Sequence, residues 1–433
     1  MGDLAWRFYR LAGKILVLVL NLLFPVLRRC DKKIEKRLGQ FLGHVSRELM
    51  KSVAGRRPIW VHAVSTGEVV AATSIIKSLQ EFVDVPVILS TTCWEAETLA
   101  RKKLGSRITD VVFHPIDVPR AVQRFFNRIN PRLLVIVETD IWPVTVRTAA
   151  RRGCPVALAN GRISEKTERF YRTKPSLSSR VWSSFSVFMV QTGEEAERLH
   201  KAGAPWDKIR VMGNTKFDVA LAAAVEGKSE HSLRLGLSPG TPTLVCGSTH
   251  EEDEVVIASA WARLPAGSLP SPRLIVAPRD PSRSSRVVEL FADQNKRVLL
   301  RSSADDGMTH DQWDIMVVDT MGELADLYRY GTVAFVGGTF GKWGGHSLIE
   351  PLSAGRFTLH GPYVRNFRTV AREAAAAGAA REVGDADQLL AVLTELLEYE
   401  IMLREAGQKA AVYAATQAGS AERQSRVLMD LIT

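Results

Sequence analysis

The first half of the chain alternates between short apolar runs and longer segments with helical periodicity. The apolar runs lie at residues 59–61, 85–90, 110–113, 133–137, 156–159 and 187–191. The helical segments between them lie at residues 69–81, 95–104, 119–129, 143–151 and 194–202. A strand that is covered on both faces reads as a continuous apolar run. The pattern therefore predicts successive βα units around a parallel sheet.

The same alternation pauses around residues 218–240 and then resumes. Apolar runs lie at residues 243–247, 273–277, 297–300, 316–319 and 333–336. Helical segments lie at residues 252–263, 284–294, 322–330, 348–354 and from 387 onward. A chain of 433 residues exceeds one ordinary hydrophobic core. We therefore predict an α/β protein with two Rossmann-like domains, residues 36–220 and 221–433, facing each other across a ligand-binding cleft.

The N-terminal segment has a different pattern. Its apolar centre at residues 15–27 is interrupted by Asn21 and Pro25, and basic residues flank it on both sides. The apolar run is shorter than the ~20 residues of a typical spanning helix, and no small-residue cleavage site follows it. The pattern favours a membrane anchor over residues 1–35, in or on an anionic bilayer, with a core-packing helix as the alternative. Basic residues directly after the anchor favour a cytoplasmic position for the rest of the chain.

The composition indicates an anionic partner and argues against a metal site. The net charge of +10 predicts an anionic partner, such as a phosphorylated substrate, an acidic membrane or a nucleic acid. The four cysteines are scattered without a C-x-x-C pair, and no H-E-x-x-H spacing occurs. We therefore expect no protein-bound metal.

Several polar residues follow the predicted strands of the first half. Glu68 follows strand 59–61 and opens a helix; with Ser65 it forms an S-x-x-E capping box, and it could also act as a general base. Glu138 directly follows strand 133–137, as a structural or a catalytic carboxylate. Asn160, Arg162 and Ser164 follow strand 156–159, and Lys216 lies in "GNTKFD". Each of these residues could contact a ligand or could lie in a solvated loop.

The second half offers a comparable set of residues. Arg279 follows strand 273–277 and could grip a phosphate. The stretch "TMGEL" opens a helix, whose N-terminus favours anions. The stretch "VGGTFGKWGGHSLIEP" ends in Ser347 to Glu350, which reads as a second capping box or as a site for ribose hydroxyls. Its spacing matches neither a P-loop nor a G-x-G-x-x-G fingerprint.

Seven stretches in chain order resemble the motifs of one family, the 3-deoxy-D-manno-octulosonic acid (Kdo) transferases of lipopolysaccharide synthesis. They are "HAVSTGEVVAA", "VETDIWP", "ANGRISEKTERFY", "GNTKFD", "APRDPSR", "DTMGEL" and "VGGTFGKWGGHSLIEP". The resemblance covers nearly the whole chain, including the N-terminal apolar segment. One departure is "GGHSLIEP", where the family usually reads G-G-H-N-P-L-E-P, and this weakens the contacts expected of Ser347 and Leu348.

The resemblance implies a GT-B fold and an inverting glycosyltransferase. Such an enzyme moves Kdo from CMP-Kdo to the lipid A precursor, lipid IVA, at the cytoplasmic face of the inner membrane. It implies no metal or other cofactor and no nucleic-acid partner. The alternatives are another GT-B transferase or epimerase that uses a UDP-sugar, and a membrane-tethered GT-B binding protein without catalysis.

The resemblance also implies roles for single residues. Glu68 would be the general base, and Glu138 and Lys216 would support the transition state. The expected contacts to CMP are Pro278, Arg279, Met321, Gly322, Glu323, Ser347, Leu348, Ile349 and Glu350. The residues expected on the acceptor and Kdo side are Ser65, Thr66, Gly67 and Arg162.

Overall fold

The computed structural model describes residues 32–226, 235, 241–265, 271–294, 296–304, 312–398 and 400–432. The chain divides into a first unit, Met1–Val219 with Gly419–Thr433, and a second unit, Ala220–Ala418. Residues 1–31 of the predicted membrane anchor lie outside the described residues. Within the described ranges, no helix has both the length and the apolarity needed to cross a bilayer.

The first unit is built on a parallel sheet of seven strands in the order β3-β2-β1-β4-β5-β6-β7. The strands are β1 (Ile59–His62), β2 (Val87–Thr91), β3 (Asp110–Phe113), β4 (Leu133–Val137), β5 (Val156–Gly161), β6 (Val187–Val190) and β7 (Ile209–Val211). Its helices are α1 (Lys32–Phe41), α2 (Arg47–Ser52), α3 (Thr66–Phe82), α4 (Trp94–Leu104), α5 (Pro119–Ile129), α6 (Pro143–Arg151), α7 (Glu165–Arg172), α8 (Pro175–Trp182), α9 (Gly193–Lys201) and the start of α10 (Lys216–Glu226).

Both faces of this sheet are covered, which explains the apolar runs of the sequence. Trp60 of β1 points into one core, where its ring packs 4.6 Å from Phe125 and 5.4 Å from Phe126 of α5. Its neighbours Ile59 and Val61 point into the core on the opposite face, against α3 and α4. All three are almost fully buried. Truncating Trp60 to alanine would cost about 3–5 kcal/mol of stability.

The second unit contains another parallel sheet, in the order β10-β11-β9-β8-β12-β13-β14. The strands are β8 (Thr243–Thr249), β9 (Arg273–Pro278), β10 (Val298–Leu300), β11 (Ile315–Val317), β12 (Val333–Val336), β13 (Phe357–His360) and β14 (Ala380–Glu382). The helices that follow α10 are α11 (Glu251–Trp261), α12 (Ser284–Phe291), α13 (Leu324–Tyr330), α14 (Ile349–Ser353), α15 (Arg368–Ala376), α16 (Ala386–Glu398), α17 (Glu400–Thr416) and α18 (Ser420–Asp430).

The last helix differs from the predicted domain boundary. We assigned residues 221–433 to the second domain, but α18 packs on α3 of the first unit. Its N-terminus is held by Asp218, whose carboxylate accepts from the N–H groups of Gly419 at 2.6 Å and Ala421 at 2.8 Å. Leu428 is buried in the core of the first unit. These long-range contacts have no local signal in the sequence.

Two other differences concern short elements. The pause predicted around residues 218–240 begins inside α10, which runs to Glu226. Strands β7, β13 and β14 were absent from the prediction. The edge strands β7 and β14 have only three residues each. An Arg side chain on β7 and the Arg and Glu side chains on β14 break the apolar run. Sheet edges of this length and polarity give little periodic signal.

Candidate active site

In the first unit, candidate residues gather at the point where the strand order reverses. Strands β1 and β4 are neighbours, and the chain leaves them toward opposite sides of the sheet. Ligands of doubly wound folds bind outside the carboxyl ends of the strands at such a point. Glu68 follows β1 and Glu138 follows β4.

The predicted capping box of α3 is confirmed. Ser65 Oγ accepts from the Glu68 N–H at 3.4 Å, and the Glu68 carboxylate accepts from the Ser65 N–H at 3.1 Å. The Val64 N–H donates to the same oxygen, Oε2. Within the described part of the chain, Oε1 of Glu68 has no hydrogen bond. One oxygen therefore caps the helix while the other can accept a proton.

The electrostatic setting of Glu68 suits a base. Its side chain is almost completely buried. Burial is the main cause that raises its pKa from 4.5 to about 7, and the carboxylate of Glu138 is the second cause. The two backbone N–H groups act in the opposite direction. A carboxylate with a pKa near the working pH combines ionisation with useful basicity.

Glu138 is paired with Lys216. The Lys216 Nζ lies 2.6 Å from Glu138 Oε1, and Asn160 Nδ2 donates to the same oxygen at 3.3 Å. Glu138 is 6% exposed, and the partner charge and the hydrogen bond offset the cost of burying its side chain. A Cβ added to Gly67 would come 3.7 Å from Lys216 Nζ. The start of α3 and the start of α10 thus meet at this pair.

Two of these residues have strained backbones. Glu138 has φ 62° and Asn160 has φ 50°, both in the left-handed region that non-glycine residues rarely adopt. At Asn160 the register between β5 and β6 shifts by one residue, which marks a β-bulge. Strain and bulges of this kind concentrate at functional sites, where the surrounding structure holds them.

The remaining predicted residues of this unit lie around that centre. Ser65 and Thr66 are exposed at the start of α3. The Arg162 N–H donates to the Glu138 carbonyl at 3.4 Å, which places the Arg162 backbone directly beside the end of β4. Ser164 is the N-cap of α7 and accepts from the Thr167 N–H at 3.1 Å.

A histidine at the end of β1 was not among the predicted residues. His62 Nε2 accepts from Trp142 Nε1 at 2.8 Å, and its Nδ1 lies 2.8 Å from Ser90 Oγ. Burial lowers the pKa of His62 to about 3, so the ring is neutral with its proton on Nδ1. His62 therefore fixes Trp142 at the start of α6 rather than moving protons. Its position after an apolar run was the available signal.

In the second unit, the residues predicted to contact CMP lie at the ends of β9, β11 and β12 or in the segments that follow these strands. Arg279 is exposed, and its N–H donates to the Thr249 carbonyl at 2.9 Å. Met321 is exposed and Gly322 has φ 94°. The Glu323 carboxylate is held by Arg301 Nε at 2.9 Å and by the Thr320 hydroxyl at 2.6 Å.

The capping box predicted for Ser347 and Glu350 is wrong. Helix α14 begins at Ile349 with Leu348 as its N-cap, so Glu350 is not at the third helical position. Ser347 Oγ instead accepts from the Ile349 N–H at 3.3 Å. Leu348 and Ile349 are almost fully buried, which leaves only their backbones for a ligand, whereas Glu350 is exposed.

The glycine-rich loop after β12 is shaped by Asp253, which the sequence reading did not single out. Its carboxylate accepts from the N–H groups of Gly338 at 2.7 Å, Thr339 at 3.1 Å, Phe340 at 3.0 Å and His250 at 2.9 Å. At Gly337 a Cβ would meet the Ser248 carbonyl oxygen at 2.5 Å, so only glycine fits. The acidic stretch "HEEDE", which directly follows β8, was the available signal in the sequence.

Two histidines join the same loop to the start of α11. His250 Nε2 and His346 Nε2 are 2.9 Å apart, and the Trp343 ring stacks on His250 at 4.1 Å. Burial, the neighbouring His250 and Arg279 together lower the pKa of His346 to about 4. At neutral pH the contact is therefore an N–H···N hydrogen bond between neutral rings.

No group of three or more His, Cys, Asp or Glu side chains suited to a metal occurs in the described ranges. The expectation that the chain works without a metal stays a prediction, tested below by chelation.

Comparisons with solved structures show the fold. The UDP-GlcNAc 2-epimerase of Neisseria meningitidis bound to UDP-GlcNAc has a TM-score of 0.60 at 14% identity, covering 87% of this chain and 99% of that chain. A glycosyltransferase from Rickettsia africae has a TM-score of 0.59 at 10% identity, covering 87% of this chain and 99% of that one. At such identities the likeness supports two parallel-sheet α/β units of GT-B-like type and nothing about the substrate.

Comparisons of sequence are more specific. The family model described as "3-Deoxy-D-manno-octulosonic-acid transferase (kdotransferase)" matches residues 32–219. The 3-deoxy-D-manno-octulosonic acid transferase of Bordetella pertussis is 32% identical over 383 residues, which cover 86% of this chain and 87% of the relative. The enzyme of that name from Haemophilus influenzae is 29% identical over 376 residues, covering 85% and 84%. This chain belongs to the family of 3-deoxy-D-manno-octulosonic acid transferases, which are glycosyltransferases.

Proposed function

We propose that the chain transfers Kdo from CMP-Kdo to the lipid A precursor lipid IVA, with inversion at the sugar. The observation that carries the mechanism is Glu68, a buried carboxylate with one uncommitted oxygen and a pKa raised by its burial to about 7. The family of the chain supports the reaction class, and this side chain supplies the base that the reaction needs.

In the proposed step, Glu68 Oε1 takes the proton of an acceptor hydroxyl. The freed oxygen forms a bond to the anomeric carbon of Kdo, and the bond from that carbon to the CMP phosphate oxygen breaks. CMP leaves with the electron pair. One base on the acceptor side is enough for an inverting displacement, because the phosphate leaves as a stable anion.

The Glu138–Lys216 pair has an electrostatic role in this proposal. The Lys216 ammonium lies 2.6 Å from the Glu138 carboxylate and is held in place before the reaction begins. A cation fixed in advance stabilises charge that develops in the transition state without further reorganisation. The Glu138 carboxylate in turn keeps the pKa of Glu68 high.

For the second unit, we propose that CMP binds at the carboxyl ends of β9, β11 and β12. Arg279 would hold the phosphate and Glu350 would accept from ribose hydroxyls, because both side chains are exposed. Met321, Gly322 and Glu323 would form the rim, and Pro278, which is buried at the end of β9, and residues 347–349 would contribute mainly backbone groups. Arg279 would supply positive charge at the phosphate that a metal would otherwise provide.

We further propose that the enzyme works at the cytoplasmic face of the inner membrane, where the N-terminal segment would hold it. The support is the apolar centre at residues 15–27 with its basic flanks, and the net charge of +10. An anionic surface carrying a phosphorylated lipid suits both features.

The test is incubation of the purified full chain with CMP-Kdo and tetra-acylated lipid A precursor, followed by mass analysis of the lipid. We expect lipid that has gained Kdo, with release of CMP, and no product from the Glu68→Gln variant. A parallel reaction with UDP-sugars separates the rival class. Turnover of a UDP-sugar without any use of CMP-Kdo would overturn the proposal.

A further inference from the structure

The C-terminal helix α18 places a fully buried glutamine beside the candidate active site. Gln424 Oε1 accepts from the backbone N–H of Asn160 at 2.8 Å. Its Nε2 donates to Ser420 Oγ at 3.0 Å, which orients the amide group. Gln424 and Asn160 are both fully buried, and 264 positions separate them in the sequence.

Asn160 links this glutamine to the charged pair. Its Nδ2 donates to Glu138 Oε1 at 3.3 Å, and its Oδ1 accepts from the Thr215 N–H at 3.0 Å. Thr215 directly precedes Lys216. One asparagine therefore contacts the carboxylate of Glu138 and the backbone that carries Lys216.

The backbone of Asn160 needs external support. It lies in the β-bulge of β5 with φ 50°, a conformation that costs of order 1–3 kcal/mol for a residue other than glycine. Its N–H is satisfied by the side chain of Gln424 rather than by a neighbouring strand. A buried N–H without a partner would favour relaxation of the bulge.

The helix that carries Gln424 is itself fixed to α10. The Asp218 carboxylate accepts from two N–H groups at the start of α18, and Asp218 lies two residues after Lys216. Further along α18, the Ser425 hydroxyl donates to the Ile75 carbonyl of α3 at 3.2 Å. The position of Gln424 is thus defined from two sides.

We infer that Gln424 is a positioning residue for Kdo transfer: it holds Asn160, and through Asn160 it holds the Glu138 carboxylate and the Lys216 ammonium in their working arrangement. The inference rests on the proposed function of that pair. A misplacement of about 1 Å, even from outside the reacting groups, can reduce a rate about a hundredfold.

The test compares two glutamines that make the same bond. Gln40 is buried, and its Oε1 accepts from the Phe113 N–H of β3 at 2.8 Å, far along the sheet from Glu138. Methionine has a similar shape and removes the acceptor. We expect Gln424→Met and Gln40→Met to lower the melting temperature to a similar extent.

Only the Gln424 variant should lose catalysis. We expect its kcat to fall about tenfold to a hundredfold, while KM for CMP-Kdo and the affinity for CMP stay near wild type. The reason is that the residues proposed to bind CMP lie in the second unit, whereas Gln424 lies in the first. A kcat that falls no further than in Gln40→Met would overturn the inference. A wild-type chain that binds CMP but transfers no Kdo would instead refute the proposed function, and the inference with it.

If Gln424→Met does not fold, two milder variants on α18 test the positioning role. Ser420 and Ser425 are both fully buried on α18, but only the Ser420 hydroxyl accepts from Gln424. Ser420→Ala should lower kcat several-fold, and Ser425→Ala should leave it unchanged. Equal kcat values in the two alanine variants would contradict the positioning role.

Discussion

With Glu68 as the proposed general base, its raised pKa predicts a defined pH dependence of the reaction. Burial and the Glu138 charge raise that pKa from 4.5 to about 7, so about a tenth of the carboxylate is ionised at pH 6 and about nine tenths at pH 8. A general base works only when ionised. We expect kcat/KM to rise about tenfold from pH 6 to pH 8, measured by release of CMP at a subsaturating concentration of acceptor.

The Glu138→Gln variant tests the cause of this dependence as well as the base. It removes the second cause of the raised pKa and leaves burial, the first cause, in place. The rise in kcat/KM should therefore move to lower pH but stay above 4.5, although kcat itself falls. Asp140 is a weaker cause, so Asp140→Asn serves as the matched control and should move the profile less.

The same pKa shift has a cost in stability, with a definite sign. Because the pKa of Glu68 is higher in the folded state, the native protein binds more protons than the unfolded chain between pH 4.5 and about 7. Stability therefore falls as the pH rises through that window, by roughly 3 kcal/mol at about 1.4 kcal/mol per pKa unit.

Glu68→Gln removes the loss of stability that ionisation of Glu68 causes. It also weakens the hydrogen bonds from the N–H groups of Val64 and Ser65 by about 1 kcal/mol. We expect the variant to be about 2 kcal/mol more stable than wild type at pH 8 and nearly equal to it at pH 5, in denaturant unfolding. A profile that rises near pH 4.5, or near-normal turnover by Glu68→Gln, would refute the assignment of the base.

The remaining predictions concern the donor unit, the charged pair, metal and the membrane. Asp253→Asn should weaken CMP binding and lower stability by about 2 kcal/mol, because the carboxylate accepts from four N–H groups; an unchanged CMP affinity in calorimetry would contradict this. Lys216→Met should reduce kcat about a hundredfold and destabilise the protein by about 3 kcal/mol, since Glu138 is left buried and unpaired. Adding Glu138→Gln should restore stability but not turnover, and recovery of both would exclude a role for the pair in catalysis. Transfer should survive EDTA, and a loss that Mg²⁺ restores would show that a metal takes part. Removal of residues 1–31 should release the protein from anionic vesicles while it keeps activity on detergent-dispersed acceptor; complete sedimentation at high salt would show that the segment is not the anchor.

The strands that form the centre of each sheet could be predicted, because they are buried on both faces and read as apolar runs. Glu68 and Glu138 could be placed at strand ends for the same reason. The capping box of α3 is a local pattern, and it formed as expected. The similar pattern at Ser347 failed, because the N-cap of α14 is Leu348, one residue later, and the Leu348 side chain packs into the core.

The contacts that make the site work depend on residues far apart in the sequence. The bulge at Asn160 needs Gln424, and the loop at Gly338 needs Asp253, 85 positions away. Neither partner follows from periodicity, since a buried glutamine or aspartate resembles any other polar residue in a helix. The return of α18 to the first unit likewise depends on Asp218, which reads as an ordinary helical residue.

The two interpretations of Glu68 that the sequence left open are compatible in the structure. Both backbone N–H groups converge on Oε2, so the cap fixes the side chain without occupying Oε1. Those N–H groups alone would lower the pKa of the carboxylate, and a base with an ordinary pKa would be weak at neutral pH. Burial and the charge of Glu138 outweigh them and bring the pKa to about 7. The cap therefore determines the geometry of the proposed base, while its environment determines the basicity, and Gln at this position can keep the first property but not the second.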